Sequence, residues 1–569
     1  MLFFLGYRYY SAYLAERVYA LDPGFLTPAH QFRDGIDFVP TNKHVVFGHH
    51  FTSVAGAAPI VGPAIAVFWG WGPALAWIVL GTIFAAGVHD FGSLAVSLRH
   101  RAKNIGTIAQ DVISKRARTL FLLIIFFLLT LVNAVFAVVI SNLFIANPGA
   151  VIPIFVEIPL AMAIGQYIYK TRSAALVPSI LGVIGLYLLI WVGQQFPIDL
   201  APLAEAVGVE PRTVWVVILF AYTFVASRIP VWMLLQPRDY INSHQLFIAL
   251  GVIGLGMLVG WNEIVAPLVN DVPDGSPSIF PFLFITIACG AISGFHSLVS
   301  SGTTAKQIDK ETDARYVGYM GAVGEGSLAT GAVLAVTAGV VATRSEWEAL
   351  YPDFATASGG AVGNFVNGVA VFANNLGVPL ELAVIFAAVV VISFAATTMD
   401  TGVRLQRYIV QEIAELAGWH SLARNLTLAG LVAVAVPMAM ALVPGGGDAG
   451  YTFGVLWRLF GTTNQLTAGL ALTVVAVWVL RMKRNPLPAV TPLVFLLAMT
   501  TWALFSQFWD FTQGESWSER WVLAPLDAVI FVLALWLIVE AAGALRRGSR
   551  REYDEAGSPL GDDSDVTTR

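Results

Sequence analysis

The sequence predicts an all-α polytopic membrane protein with about fourteen transmembrane helices, and three observations carry that reading. Apolar residues make up 57% of the 569 positions and charged residues only 12%, about half the charged share of a soluble protein. The apolar residues fall in runs of about twenty, the length an α-helix needs to cross a hydrocarbon core of roughly 30 Å. Lys and Arg gather in alternate loops, as the positive-inside rule requires of a chain that threads back and forth. The formal charge of −5 says little about partners, because Asp562, Asp563 and Asp565 lie together near the end of the sequence. Cys289 is the only cysteine, so an intrachain disulfide and a thiol redox pair are excluded.

Residues 1–46 open on an apolar stretch broken by Arg8, Glu16 and Arg17, expected to be the end of a truncated spanning helix followed by a cytoplasmic loop. No charged n-region or small-residue cleavage pattern marks a signal peptide. Spans are expected near 54–70, 73–98, 119–145, 150–169, 174–195, 213–235, 245–267, 280–302, 318–343, 379–400, 426–444, 454–480, 490–508 and 524–545. Residues 361–376 suit an interfacial helix. Basic residues fill the loop 99–118 and recur at 170–172, 238, 306–315, 404–424, 481–484 and beyond 546, whereas the alternate loops hold only Arg212, Arg344 and Arg520. The bias puts the segment before Phe47 and the C-terminus in the cytoplasm. The tail 546–569, rich in Asp, Ser and Gly, is expected to be disordered.

Two of these spans are interrupted. Pro59 lacks an N–H and leaves the carbonyl of Ala55 without its helical partner, and Pro230 does the same to Ala226. The surrounding residues match: Phe51-Thr52-Ser53-Val54-Ala55 against Tyr222-Thr223-Phe224-Val225-Ala226. A freed carbonyl at membrane depth is tolerated only where it faces protein or a wet cavity. Broken helices in matching positions of two halves point to a secondary transporter's binding site. The expected divisions are a first five-helix repeat over 47–205, a second over 206–400, four additional helices over 401–545 and the tail.

Candidate substrate contacts are therefore His49, His50, Thr52, Ala55, Gly56, Tyr222, Thr223, Ser227 and Arg228. The Arg228 guanidinium offers a fork that grips a carboxylate through two parallel bonds. Candidate ion-coupling groups are His89 and Asp90, which follow sixteen apolar or small residues, and Glu325 among Gly321, Gly324 and Gly326. Ionisable groups inside spans are costly and usually functional. The hydroxyls of Ser300, Ser301, Thr303 and Thr304 suit oxygen ligation of a small cation, with Lys306 as an alternative source of positive charge. Asp400 and Arg404 read as a structural i,i+4 pair. Asn464 and Gln465 read as interhelical hydrogen-bonding groups. A membrane-embedded metalloenzyme built on His49, His50, His89 and Asp90 is the rival reading. It is disfavoured because adjacent histidines diverge by about 100° on a helix. No P-loop, H-E-x-x-H, G-x-S-x-G or paired C-x-x-C occurs, so neither an enzyme nor a cofactor is expected.

The run Asp34-Gly35-Ile36-Asp37-Phe38-Val39-Pro40-Thr41 with Val46-Phe47-Gly48-His49-His50-Phe51 and Pro59-Ile60-Val61-Gly62-Pro63 resembles the opening signature of the carbon starvation protein A family. So do Pro230-Val231-Trp232, Gln236-Pro237-Arg238-Asp239-Tyr240, Pro281 to Thr304, and Phe460-Gly461 with Asn464-Gln465. The resemblance implies an inner-membrane carrier of the amino acid–polyamine–organocation superfamily with a LeuT-type 5+5 inverted repeat. Such a carrier takes up peptides or pyruvate during carbon starvation, with proton coupling. Arg228-Ile229 departs from the family's apolar pair before Pro-Val-Trp, and Arg228 would suit a small carboxylate. The expectation is an ion-coupled symporter, driven by a proton or Na+, whose partners are its substrate and the lipid bilayer and not nucleic acid. A sensor that has lost transport is the remaining alternative.

Overall fold

The computed structural model describes residues 1–35, 37–171, 175–442, 449–514 and 517–547. The tail expected to be disordered lies outside the described residues beyond position 547. The described chain is helical, its one β-bridge joining Thr41 to Ile308. After a short N-terminal helical stretch over 2–18, the main helices are α1, broken into α1a (Lys43–Val54) and α1b (Ala58–Trp69), and α2 (Trp71–Arg99). Next come α3 (Lys115–Ala146), α4 (Pro148–Thr171), α5 (Leu176–Gln195), α6 (Pro211–Ala226) and α7 (Leu235–Gly260). The segment α8 is cut into α8a (Ile279–Thr286), α8b (Ala288–Ala291) and α8c (Gly294–Gly302). It is followed by α9 (Arg315–Gly339), α10 (Phe354–Asn375), α11 (Leu380–Leu416) and α12 (Leu426–Ala441). The last three are α13 (Ala449–Arg481), α14 (Leu487–Gln513) and α15 (Glu519–Arg546).

Ten of these helices are long and apolar enough to cross a membrane, and two bent pairs raise the number to twelve. One bent pair is α1a with α1b, at 48°. The other is the short helix Ala201–Val207 with α6, at 99°. The remaining apolar segments, α8 and α12, are respectively fragmented and short.

The break in α1 falls where proline puts it. α1a ends at Val54, and Pro59 is the second residue of α1b, where its missing N–H costs nothing. Every residue from Val46 to Gly70 is buried, so the interruption faces protein and not lipid. Gly56 sits in the gap because nothing larger fits: a Cβ there would lie 2.7 Å from Thr398 Oγ1 and 3.2 Å from the Phe136 ring.

The second break differs from the expected one. α6 stops at Ala226, residues 227–234 form turns, and α7 begins at Leu235, ten residues before the span foreseen at 245. Pro230 ends a helix here and does not puncture one. The carbonyls it frees are taken up by protein: Arg404 Nη2 donates to Ala226 at 3.0 Å and also to Ile229. Arg404 is thereby drawn away from Asp400, and the expected i,i+4 pair is replaced by this cap. The interrupted segment that packs on α1 is α8, with α8b against α1b and α8c against α1a. No proline marks its breaks at Ile287 and Ile292–Ser293. Gly294 instead lets α13 approach so closely that a Cβ would lie 2.3 Å from the Asn464 carbonyl oxygen.

Two long helices, α3 and α11, run against each other through the centre, and α13 lies along α3. α10, expected at the interface over 361–376, is instead wedged between α1b, α7, α11 and α13, with Ala361, Phe365, Val366 and Val369 buried.

Candidate functional site

α1a stands between two buried polar clusters, and its adjacent histidines face one each. His50 Nδ1 lies 2.9 Å from Thr304 Oγ1 on α8's side, and His49 Nδ1 lies 2.7 Å from Asp239 Oδ2 on α7. Their divergence follows from the roughly 100° turn per residue of a helix. Among the described residues no group of three or more His, Cys, Asp or Glu side chains is placed to hold a metal ion.

The first cluster joins α2, α8c and α9. His89 Nδ1 is 2.6 Å from Asp90 Oδ1, His296 Nδ1 is 2.7 Å from Asp90 Oδ2, and His296 Nε2 is 3.3 Å from Glu325 Oε1. All four side chains are buried. Gly321 lets His50 lie against α9, since a Cβ there would come within 2.8 Å of the imidazole. His89, Asp90 and Glu325, expected as ion-coupling groups, lie together here, and His50, expected as a substrate contact, lies beside them against α9. His296, the bridge between the carboxylates, is the member that reading missed. Its signal was an ionisable side chain within an apolar run.

The second cluster joins α4, α6, α7 and α11. Arg238 Nη1 donates to Asp400 Oδ2 at 2.7 Å and to the Tyr222 hydroxyl at 3.0 Å, and its Nε lies 3.7 Å from Glu157 Oε2. Tyr222 donates to the same Asp400 oxygen at 2.8 Å. Thr52 donates to the Asp239 carbonyl at 3.0 Å and Ser53 to its carboxylate at 3.4 Å. The sequence places Arg238 among the basic loop residues because hydropathy locates only the apolar part of α7.

Other expected contacts go elsewhere. Arg228 is exposed, its guanidinium donating to Thr427 Oγ1 at 2.9 Å and lying over the Phe224 ring, so it does not reach the buried interior. The arginine that joins this cluster is Arg238, ten residues on. Thr223 and Ser227 donate to the carbonyls of Phe220 and Phe224 in their own helix. The hydroxyls at 300–304 do not converge on a cation. Ser301 donates to Ser297 and accepts from the Ile105 N–H, Thr303 donates to Val299, and Thr304 meets His50. Ser300 is buried, and Lys306 lies over the Phe38 ring at the rim of a cavity. Asn464 and Gln465 bind across helices, to Ser293 and the Phe295 N–H and to the Phe284 carbonyl.

Two cavities flank this region at opposite ends of the α3–α11 pair. One of about 400 Å³ is lined by Leu129, Leu298, Ser301, Lys306, Leu405 and Glu412. The other, about 390 Å³, is lined by Val139, Asn142, Asn147, Gly363, Asn367 and Val384. Between them lies the gap Ala55–Gly56–Ala57, where Gly56 rests on Phe136 and Thr398, and Asn133 donates to Gln406 beside it. The N–H groups of Gly56, Ala57 and Ala58 have no acceptor among the described residues.

The geometry has counterparts. Solved structures of a point mutant of the Eremococcus coleocola manganese transporter and of MhsT in complex with L-phenylalanine each superpose with a TM-score of 0.50. They cover 91% and 88% of this chain and 99% of their own, at 11% and 12% identity, and so share its fold. The chain is 32% identical to a peptide transporter CstA of Campylobacter jejuni over 90% of this chain and 80% of that protein. It is 31% identical to the pyruvate/proton symporter BtsT of Escherichia coli over 88% and 80% respectively. A CstA from Mycobacterium tuberculosis is 31% identical over 97% and 78%. These relatives are transporters and not enzymes, which sets aside the metalloenzyme reading. The model of the family described as carbon starvation protein CstA matches residues 1–503. With its run of apolar helices, this chain is a multi-pass membrane transporter and belongs to the carbon starvation protein CstA family.

Proposed function

We propose that the protein is a proton-coupled importer of a small carboxylate-bearing nutrient, pyruvate or a short peptide, across the cytoplasmic membrane under carbon limitation. The observation that carries the reading is the pair of cavities on α3 and α11. They end about 15 Å apart along α3, from Leu129 to Val139 at 1.5 Å per residue. The layer between them contains the gap in α1. A substrate held at this layer is reached from one side at a time. The unpartnered N–H groups at the start of α1b suit its carboxylate, helped by the positive end of that helix. Asp90, His296 and Glu325 carry the coupling proton, since two carboxylates bridged by an imidazole hold a proton at several neighbouring oxygens and nitrogens. Sodium is the less favoured ion, because Ser301, Thr303 and Thr304 turn to separate partners, which leaves Ser300 alone without one among the described residues.

Helix packing supports an inverted repeat in a different register from the expected 47–205 and 206–400. Mapping α1, α2, α3, α6 and α7 onto α8, α9, α11, α12 and α13 carries neighbours onto neighbours. α1a beside α7 becomes α8a beside α13, α3 beside α6 becomes α11 beside α12, and α7 beside α11 becomes α13 beside α3. The hairpin α4–α5 is then an insertion. As it crosses twice, it leaves the two halves oppositely directed. Counting α8 and α12 as crossings gives fourteen, with the C-terminus cytoplasmic.

The test is uptake of labelled pyruvate and of a labelled dipeptide into proteoliposomes, with pH and sodium gradients imposed separately. Uptake of one probe driven by an inward proton gradient is expected. Ligand binding without exchange of either probe would leave a sensor.

A further inference from the structure

The cluster around Arg238 holds more acid than base. Glu157 on α4, Asp239 on α7 and Asp400 on α11 set three buried carboxylates against one buried guanidinium. The groups facing them from neighbouring helices do not restore the balance. Arg404 on α11 turns to the carbonyls of Ala226 and Ile229, and Tyr222 on α6 is a neutral donor to Asp400. His49 on α1a meets Asp239, and His244 on α7 reaches Ser179 of α5. The one titratable group of α5, Tyr187, packs on Phe386.

The three acids are unequally served. One oxygen of Asp400 receives two hydrogen bonds, and one oxygen of Asp239 faces His49 and Ser53. Glu157 is fully buried and neither of its oxygens has a hydrogen-bond partner among the described residues; Arg238 Nε stands 3.7 Å away, and the Asn242 side chain on α7 also faces it. A carboxylate without donors inside a membrane protein is far costlier to hold than a carboxylic acid, and intramembrane acids of this kind mark proton pathways.

We propose that Glu157 is a second proton-carrying group of this transporter, distinct from the Asp90–His296–Glu325 relay. This rests on the proton-coupled reading above. A proton arriving from water bonds to a Glu157 oxygen and leaves Arg238 to Asp400. When the O–H bond breaks and the proton departs to the other side, the carboxylate draws Arg238 Nε toward α4 and loosens its hold on α11. Asp239, next to Arg238, carries that shift to α1a through His49 and Thr52. Glu157 sits on the α4–α5 hairpin, the part that the packing sets outside the repeat, so the first half holds a proton site with no counterpart in the second.

The experiment measures protons moved per labelled pyruvate or dipeptide by the full chain in proteoliposomes, from the substrate gradient that just cancels an imposed pH gradient. Glu157→Gln, which mimics the protonated acid, should keep substrate exchange and lower the ratio by one. Glu157→Asp should restore the ratio with a shifted pH profile. An unchanged ratio in Glu157→Gln overturns the proposal, and so does equal loss of exchange in both variants, which marks a structural role. Infrared difference spectra of the wild-type protein across a pH titration give an independent readout: a carboxylic-acid C=O band is expected that Glu157→Gln removes. If the wild-type chain moves neither probe, the reading of its substrate fails while the infrared titration still decides on Glu157.

Discussion

At the residue scale, two arginines ten positions apart have opposite fates. Arg228 stands beside Pro230 and looked central because the proline marks a helix end, but sequence does not say which face of that end turns inward. Arg238 lies in polar residues that continue a membrane helix below its apolar part, and it is buried. Arg228→Ala should therefore leave uptake unchanged and alter stability by no more than about 0.5 kcal/mol. Arg238→Ala strands Asp400 and Glu157 and should cost on the order of 3–5 kcal/mol, read as a lowered unfolding temperature in detergent and loss of uptake. Gly56 tests the packed layer. Its missing side chain is what lets α1 rest on Phe136 and Thr398, so Gly56→Ala should force a shift costing about 1–3 kcal/mol. Transport should fall far more than folded yield, and equal falls in both would assign Gly56 to folding alone. Asp90, His89 and Glu325 were legible because an ionisable residue amid apolar ones stands out. Asp400 reads in sequence as the partner of Arg404, four residues on, since Arg238, which it meets together with Glu157, is remote in sequence.

At the scale of elements, proline made the break in α1 legible, whereas the breaks in α8 arise from a close approach of α13 that only tertiary packing reveals. The ends of helices carry their own chemistry. The segment before α1 is stapled to the loop after α8: Arg99 Nη2 donates to Glu311 Oε2 at 2.6 Å, and the Asp22 N–H donates to the same oxygen at 2.7 Å. The Val39 and Thr41 N–H groups donate to the carbonyls of Lys306 and Gln307. These bonds tie the loop after α8c to the segment before α1, beside the cavity that Lys306 lines. Glu311→Gln removes the buried charge pair and should raise hydrogen exchange across 22–41 while exchange at α10 stays unchanged. α10 has its own control in Asp353, whose carboxylate accepts from the Thr356 N–H at 2.8 Å and from its hydroxyl at 2.9 Å. The Thr356 amide bond, foremost, holds this carboxyl below its ordinary range. A depressed carboxyl stabilises above its unfolded value and loses that contribution as pH falls through the folded one. Asp353→Ala should thus cost about 1 kcal/mol at neutral pH and least in acid, read from exchange of the 355–357 amides.

At the scale of the molecule, composition and the alternation of basic loops were enough to read a polytopic helical membrane protein, because the bilayer acts on every span in the same way. The likeness between 51–59 and 222–230 suggests one register for the two halves, whereas the register proposed above sets α8 opposite α1. The difference has a consequence for how the protein opens. If α3 and α11 stay together while α1 and α8 move against them, the cavity at Leu129 and the cavity at Asn142 open in turn and never together. Cys289 is buried and is the only cysteine in the sequence, so introduced cysteines report cleanly. Leu129→Cys should react with a membrane-impermeant thiol reagent from the cytoplasmic face alone, and Asn142→Cys from the opposite face alone. Substrate added with an inward proton gradient should raise the rate at one site while lowering it at the other. Rates that rise at both sites together would mean a continuous pore, and with it the layer at Gly56, Phe136 and Thr398 would lose its role as the barrier between two alternating vestibules.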